Sequence, residues 1–171
     1  MDINIKPLSP VLLNDYLNFF DNSAFADHCE WSGCYCVEPH ICGEIWPELS
    51  KGVESKGRQY AIDFINSGKL QGYLAYCGDE VMGWCNANDK ANYERIQAQA
   101  WRHTEEDGSK KIKSIMCFVI SPAHRRQGIA SWLLEHICED AKSEGYDIVE
   151  TYPYCVEQND YDSYSGPLSM Y

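Results

Sequence analysis

Residues 115–131 read IMCFVISPAHRRQGIAS, and this stretch decides the fold of the chain. The apolar run from Ile115 to Ile120 is short and rich in β-branched and aromatic side chains, which is typical of a strand buried on both faces. Pro122 ends this strand, and from Ile129 onward the apolar residues recur at helical spacing. The stretch therefore predicts a strand, a short basic loop and the beginning of a helix.

The loop between this strand and this helix suits an anionic ligand. The first turn of a helix presents backbone N–H groups and a positive potential, so a phosphate group is its natural ligand. Gly128 lets the backbone approach such a group closely, and Ala130 is too small to obstruct it. The loop lacks the G-x-x-x-x-G-K-[ST] pattern of a nucleotide P-loop, and its single glycine does not match a dinucleotide-binding fingerprint.

The residues RRQGIA at positions 125–130 resemble the R/Q-x-x-G-x-G/A signature of the GNAT superfamily of acyl-CoA-dependent N-acyltransferases. The Ser-Pro pair before them and the long helix after them make the resemblance more specific. It implies acetyl-CoA as co-substrate, with its pantetheine arm on the strand, its pyrophosphate on the loop, and His124 adding to the positive field. The cofactor-binding residues that the resemblance implies are Phe118, Val119, Ile120, Arg125, Arg126, Gln127, Gly128, Ile129, Ala130 and Ser131.

The composition predicts a single domain over residues 1–171. This length allows one substantial core, and the fractions of hydrophobic residues (44%) and charged residues (23%) are ordinary for a globular protein. No apolar run reaches the roughly 20 residues that span a bilayer, and the first residues lack the features of a signal peptide. We therefore expect a cytoplasmic protein without a membrane partner.

The net charge of −12 argues against a nucleic-acid partner, because neutralising phosphates requires clustered Lys and Arg. It favours a cationic acceptor through long-range attraction. The alternative is that the acidity only keeps the protein soluble.

Nine cysteines without a signal peptide do not indicate a disulfide framework. Four of them lie in apolar segments and are interpreted as small buried side chains: Cys77, Cys85, Cys117 and Cys138. The others near the N-terminus form a cluster with histidines: His28, Cys29, Cys34, Cys36, His40 and Cys42. This cluster is either a set of packed thiols or the core of a zinc-binding regulatory domain. Its C-x-C spacing is wrong for a zinc finger, so we expect no metal.

The order of predicted elements along the chain supports the resemblance. Hydrophobic periodicity, proline and glycine predict a strand over 3–8, a helix from Ser9-Pro10, an irregular segment over 21–47, a helix over 54–66, a hairpin over 72–77 and 80–87, helical character over 88–102, a charged loop over 103–111, a helix over 128–143 and a strand over 147–152. The fold class is therefore α/β (α+β by some schemes). The resemblance implies a central mixed, mostly antiparallel sheet, flanked by helices, with a splayed parallel strand pair that admits acyl-CoA.

Acyl transfer to an amine requires proximity of the two reactants, loss of a proton from the amine and protonation of the departing thiolate. The resemblance implies a tyrosine as general acid, and by position Tyr171 is the best match, with Tyr164 as competitor. For a general base, Glu150 is the candidate, with Asp89 as alternative. The alternative is that each tyrosine is a surface or packing residue and that each acid is a solvated surface group.

The acceptor site is expected in the aromatic, Cys-rich loop after the first helix. The residues WSGCYC at 31–36 and GWCN at 83–86 are similar to those of a bacterial GNAT subgroup. Trp31, Tyr35 and Trp84 are therefore the candidate substrate-binding residues, because aromatic faces bind cationic amines. The alternative is that these rings close the hydrophobic core.

The sequence thus predicts an N-acetyltransferase that acts on a primary amine of a small molecule or peptide, by direct attack in a ternary complex. The alternative is a catalytically inactive CoA-binding sensor or interaction module. Family chains continue past the tyrosine with two further strands, whereas this chain ends at Tyr171. We therefore expect a C-terminal truncation or completion of the sheet by another subunit, in which case the protein is a homodimer.

Overall fold

A five-stranded sheet organises the computed structural model, which describes residues 3–43, 49, 56–99, 108–153, 164–166 and 168–171. The strands in these ranges are β1 (Ile3–Pro7), β2 (Gly72–Cys77), β3 (Glu80–Asp89), β4 (Ile112–Ile120) and β5 (Ile148–Thr151). The helices are α1 (Leu13–Asn22), α2 (Lys56–Ser67), α3 (Glu94–Gln97) and α4 (Ile129–Ser143). Single 3₁₀ turns lie at Pro10–Leu12, Cys29–Trp31, Glu38–His40, Lys90–Asn92, Pro122–His124 and Leu168–Met170.

The strands lie in the order β1-β2-β3-β4-β5, and all neighbours are antiparallel except β4 and β5. This arrangement confirms the mixed, mostly antiparallel sheet with one parallel pair. The parallel pairing runs from Ile112 opposite Ile148 to Ile115 opposite Thr151. Beyond that point β5 has ended, while β4 continues to Ile120. In the part of the chain that the structure describes, no strand pairs with the second half of β4 on this side, which we call the gap side.

The two faces of the sheet carry separate hydrophobic cores. On one face, α1, α2 and residues 24–37 form a core that contains Tyr16 of α1 and Trp84 of β3. On the other face, α4 packs with Leu133 and Ile137 over Ile115 and other strand residues. The apolar stripe of each helix faces its core, as the sequence periodicity predicts. No helix within the described ranges is long and apolar enough to cross a membrane.

A bulge in β4 decides which of its side chains faces which core. The register with β3 changes from Asn86 opposite Cys117 to Ala87 opposite Ile115, which leaves Met116 as the extra residue. Phe118 consequently packs on the α4 face, together with Ile115, whereas Cys117 packs on the α1 face.

Two element boundaries differ from the sequence prediction because buried polar residues interrupt the hydrophobic pattern. β4 begins at Ile112 rather than at residue 115, since Lys113 and Ser114 are buried in the strand despite their polarity. The helix expected over 88–102 is largely absent from the described residues, where β3 extends to Asp89 and α3 covers four residues. The end of the predicted helical segment, 100–102, and most of the predicted charged loop, 103–107, lie outside the described residues. The same is true of residues 54 and 55 of the second predicted helix.

Candidate active site

The cofactor loop, residues 121–128, is held by a hydrogen bond to β3 and by hydrogen bonds within the loop. The Ser121 N–H donates to the carbonyl of Met82 on β3 at 2.9 Å. The Ser121 hydroxyl lies 2.8 Å from Nδ1 of His124, and the Gln127 amide donates to the Ala123 carbonyl at 3.1 Å. His124 and Gln127 thus fix the shape of the turn.

Two residues of the loop have left-handed backbone conformations, Arg126 with φ 60° and Gly128 with φ 84°. The left-handed conformation of Gly128, which its missing side chain permits, lets this residue serve as the N-cap of α4. The loop is exposed from Arg126 to Gly128, whereas Ile129 is buried and anchors the first turn of the helix.

The beginning of α4 fits a phosphate group. The first backbone N–H groups of a helix have no intrahelical partner, and the N-cap residue Gly128 has no side chain that could accept from them. Ala130 is small and Ser131 is exposed at the third helical position. No acidic side chain stands in this first turn, so its positive potential is not neutralised locally.

The Arg125 side chain is engaged by groups outside the first turn of α4, and its role as a pyrophosphate ligand stays a prediction. Its guanidinium binds the carboxylate of Asp27, with Nη2 to Oδ1 at 3.1 Å, and its Nε donates to the Ile120 carbonyl at 3.2 Å. The hydrogen bond from Arg125 lowers the pKa of Asp27, so the pair is ionised at neutral pH. Arg125 therefore ties the loop to the segment after α1. Asp27 belongs to no recognisable motif and lies 98 positions from Arg125, so the sequence does not reveal this pairing.

The backbone of β4 beside the gap is partly occupied. The Phe118 N–H donates to the carbonyl of Tyr164 at 2.6 Å. Val119 lies opposite Trp84 of β3, and because successive residues alternate, its backbone groups are directed to β3. Of the three residues predicted to bind pantetheine, Ile120 is thus the one whose N–H is directed to the gap side without a described bond to β3 or Tyr164.

The two candidate acids lie in the terminal segment, which we define as the described residues among 164–171. The Tyr171 ring lies 6.3 Å from that of Phe118, and its hydroxyl donates to the Ser165 carbonyl. Partial burial raises the pKa of Tyr171 to about 12. The Tyr164 ring instead contacts Phe25 and Trp31 at 5.5 and 5.6 Å, and burial raises its pKa as well. Both phenols therefore hold their proton at neutral pH, but on different faces of β4.

Glu150 is not a solvated acid. Its carboxylate accepts from the Lys90 ammonium at 3.1 Å and also from the hydroxyls of Ser114 and Tyr152. Lys90 itself is buried, so this ion pair anchors β5 to the end of β3. Its role as general base stays a prediction, although both of its oxygens are engaged. The alternative base Asp89 caps the following 3₁₀ turn by accepting from the Ala91 N–H at 2.9 Å.

The acceptor segment, residues 23–43, presents one of the three predicted aromatic residues to solvent. Trp31 is half-buried and stacks on His28 with the rings 4.1 Å apart. Trp84 is fully buried against Tyr16, which corrects its interpretation as a substrate-binding residue, because an acceptor has no access to it. Tyr35 is buried too, with its hydroxyl bound to Asp21, so it is likewise a core residue.

The cysteines follow the sequence interpretation in part. Cys85 and Cys117 are buried, as predicted, whereas Cys77 is half-buried and Cys138 is exposed on α4. Cys138 fails the prediction because it stands on the solvent side of α4, whose buried face carries Leu133 and Ile137. No group of three or more His, Cys, Asp or Glu among the described residues could hold a metal ion.

A buried polar cluster next to the acceptor segment was not evident from the sequence. His40, Asn86 and Tyr93 are fully buried, and the Asn86 amide donates to the Cys36 carbonyl at 2.9 Å. The Tyr93 hydroxyl donates to Asn86 at 2.8 Å. Burial lowers the pKa of His40 to about 4, so its ring is neutral. In the sequence, Asn86 and Asn88 within the otherwise apolar run of β3 are the signal that could have indicated this cluster.

The chain matches the model of the acetyltransferase (GNAT) family over residues 38–162. A comparison with the curated proteins found no match. The fold is similar to that of a ribosomal-protein-alanine N-acetyltransferase from Brucella melitensis biovar Abortus 2308, with a TM-score of 0.57, 12% identity, and coverage of 91% of this chain and 84% of that chain.

Two aminoglycoside acetyltransferases have similar folds. One comes from an uncultured soil metagenomic sample, with a TM-score of 0.54, 18% identity, and coverage of 92% of this chain and 83% of that chain. The other is AAC(6')-Iy in complex with CoA, with a TM-score of 0.51, 12% identity, and coverage of 89% and 78%. At these identities the structures show a shared fold. Because the family model covers more than half of its length, the chain belongs to the acetyltransferase (GNAT) family.

Proposed function

We propose that this protein transfers the acetyl group of acetyl-CoA to a primary amine by direct attack within a ternary complex. The observation that carries the proposal is the open N-terminus of α4, which lies where β4 continues past the end of β5. A pyrophosphate bound at this helix end would place the rest of CoA along β4, as the family membership also suggests.

The donor side of the site consists of residues 126–131 and the backbone of Ile120. The N–H groups of Ile129, Ala130 and Ser131 would donate to the pyrophosphate, and the Arg126 guanidinium would add positive charge. Gly128 permits close approach because it has no side chain and caps the helix in a left-handed conformation. A structure similar to this one holds CoA, which supports the choice of donor.

The reaction joins the amine nitrogen to the carbonyl carbon of the thioester, and the carbon–sulfur bond breaks. The amine loses a proton to solvent, and the departing thiolate takes one from the Tyr171 hydroxyl, which solvent then reprotonates. The raised pKa of Tyr171, about 12, keeps this proton in place until the thiolate forms. The position of Tyr171 beside Phe118 of β4 favours it over Tyr164, whose ring is directed to the acceptor segment.

The acceptor is proposed to carry a second positive charge besides the amine that reacts. The net charge of −12 would attract such a molecule, and the half-buried Trp31 offers an aromatic face for a cationic group. The neighbouring structures are named for aminoglycosides and for the alanine of a ribosomal protein, so amines of small molecules and of peptides both belong in the test.

The test incubates purified protein with acetyl-CoA and a panel that comprises polyamines, aminoglycosides, a Lys peptide and an N-terminal alanine peptide. Acetylated product is measured by mass spectrometry, because the nine cysteines of the protein would react with a thiol reagent. We expect product with at least one cationic amine. We also expect the rate with Tyr171→Phe to fall roughly a hundredfold, with CoA affinity unchanged.

Tyr164→Phe is the matched control, because it also loses one hydroxyl but keeps its ring against Trp31. Its rate should stay within about twofold of the wild-type rate. Binding of acetyl-CoA without product from any amine would overturn the enzymatic proposal in favour of a CoA-binding sensor. Absence of binding would overturn both.

A further inference from the structure

Two buried thiols from distant parts of the chain face each other across the α1-side core. The Sγ atoms of Cys36 and Cys117 are 2.8 Å apart, although 81 positions separate these residues. Cys36 belongs to the acceptor segment, and Cys117 belongs to β4, next to the bulge. Both side chains are almost fully buried, at 3% and 8% exposure. The separation exceeds the roughly 2.05 Å of a disulfide bond by less than 1 Å.

The backbone around Cys36 is held in an unusual shape that directs the thiol to β4. Tyr35 and Cys36 are consecutive non-glycine residues with positive φ, 41° and 46°. Both carbonyls are engaged, since the Tyr16 hydroxyl donates to that of Tyr35 at 2.6 Å and the Asn86 amide donates to that of Cys36 at 2.9 Å. Such a conformation persists where surrounding contacts fix it, and it often marks a functional position.

We propose that Cys36 and Cys117 are a redox pair that forms a disulfide when the protein meets a peroxide. One thiol reduces hydrogen peroxide to water and becomes a sulfenic acid. The second thiol then attacks that sulfur, the sulfur–sulfur bond forms, the sulfur–oxygen bond breaks, and a second water leaves. In sum, two thiols and one peroxide give one disulfide and two waters. This step does not depend on the proposed acetyltransferase activity.

Access controls the rate of this reaction. Burial raises the pKa of Cys36, so its thiolate is scarce at neutral pH and the pair should react more slowly than exposed cysteines. The thiol of Cys34 adjoins Cys36 and is half-buried, which makes it the nearest solvent-facing member of the cluster. Once formed, the bond would join the segment that carries Trp31 to the strand that lines the gap.

The experiment uses full-length protein in which three exposed cysteines are replaced: Cys29→Ser, Cys42→Ser and Cys138→Ser. These changes suppress disulfides between molecules and leave the pair untouched. The protein is treated with hydrogen peroxide, the remaining thiols are blocked with N-ethylmaleimide, and tryptic peptides are analysed by mass spectrometry. Peptide 114–125 contains Cys117 as its single cysteine. Cys34 and Cys36 share the tryptic peptide that ends at Lys51, so variants at these two positions distinguish them as partners.

We expect this peptide to be linked to the peptide that contains Cys36, and the link to disappear after treatment with dithiothreitol. Adding Cys34→Ser should keep the link, whereas adding Cys36→Ser should abolish it. The oxidised protein should melt roughly 4 to 15 °C higher than the reduced protein, because the bond closes a long loop. Recovery of Cys117 only in its N-ethylmaleimide form, or linkage of Cys117 to Cys34 or Cys85, would overturn the proposal.

Discussion

The two halves of the candidate site are built in different ways. The cofactor half, residues 112–132, is one continuous strand, loop and helix start, and bonds between near neighbours such as Ser121 and His124 shape its loop. The acceptor half consists of the acceptor segment and the terminal segment, and it is joined to the rest by distant pairs. Asp27 binds Arg125 across 98 positions, and Cys36 meets Cys117 across 81.

This difference has energetic and functional consequences. The cofactor half needs only a left-handed residue and open N–H groups, which local sequence encodes directly. The acceptor half depends on buried polar contacts that must all form together, because an unpaired buried polar group is costly. We therefore expect perturbation of the acceptor half to affect folding first, and perturbation of the cofactor half to affect binding first.

The largest predicted effect is a loss of folding stability in acid, which arises in the acceptor half. Burial lowers the pKa of His40 to about 4, below the value of about 6.5 in an unfolded chain. The unfolded state therefore takes up the proton first, and the free energy of unfolding should fall as the pH drops from about 6.5 to about 4. The loss attributable to His40 is about 3 kcal/mol. It is measured by urea denaturation of the wild type and of His40→Gln over this pH range.

Above about pH 7.5 the two proteins should show parallel pH dependence, because His40 is then neutral in both states. Equal losses of stability in the wild type and His40→Gln on acidification would show that another group is responsible.

The next effect concerns the cofactor half. Ser131→Glu places a carboxylate at the third helical position, where it favours the helix but repels a pyrophosphate. We expect CoA to bind roughly thirtyfold more weakly, about 2 kcal/mol of repulsion at an exposed helix end. The melting temperature should not decrease. Ser131→Gln is the neutral control, and isothermal titration calorimetry gives the affinities. An unchanged affinity for Ser131→Glu would place the pyrophosphate elsewhere.

A smaller effect is expected from a pair of glycines at the two ends of α4. Gly128 and Gly145 both have positive φ, 84° and 75°, so alanine at either position should cost about 1 kcal/mol of stability. Of the two variants, only Gly128→Ala should also weaken CoA binding, by roughly tenfold, since Gly128 adjoins the proposed phosphate site and Gly145 lies at the other end of α4. Denaturation gives the free energy of unfolding of both variants, and calorimetry gives their affinities for CoA. Equal affinities for CoA would contradict the role of the Gly128 backbone.

The smallest effect concerns Trp31, the half-buried aromatic residue of the acceptor segment. Trp31→Ala should raise the KM for a cationic amine by roughly fivefold, since it removes about 1 kcal/mol of cation–π attraction. Trp31→Phe should recover part of that loss, and CoA affinity should stay unchanged in both variants. Steady-state kinetics with a diamine provide the measurement. A matching loss of CoA affinity would show that Trp31 acts through the fold.

The contrast between the halves also explains what the sequence could predict. The strand, loop and helix at 115–131 were predictable because their signals are local, whereas the mixed sheet was expected from the family resemblance. The beginning of β4 at Ile112 was not, because Lys113 is buried through its ion pair with Glu144, which the apolar pattern cannot reveal. Trp84 was a candidate substrate-binding residue with the hydrophobic core as the alternative, and the packing of α1 over β3 places it in the core.

The same reasoning applies to charged residues of the site. Arg125 fits the phosphate-binding motif by position, but its bond to Asp27 depends on the fold of a segment far away in sequence. Glu150 stands on a short strand where a surface acid is the usual expectation. Its contact with the buried Lys90 exists only because the end of β3 meets β5 across β4.

The central claim is that CoA binds on the first turn of α4. Hydrogen–deuterium exchange of the wild-type protein with and without CoA tests it most directly. We predict slower exchange of the backbone N–H groups of residues 126–132 when CoA is present, with much smaller changes in residues 28–43. Unchanged exchange at 126–132, or protection confined to the acceptor segment, would contradict this account.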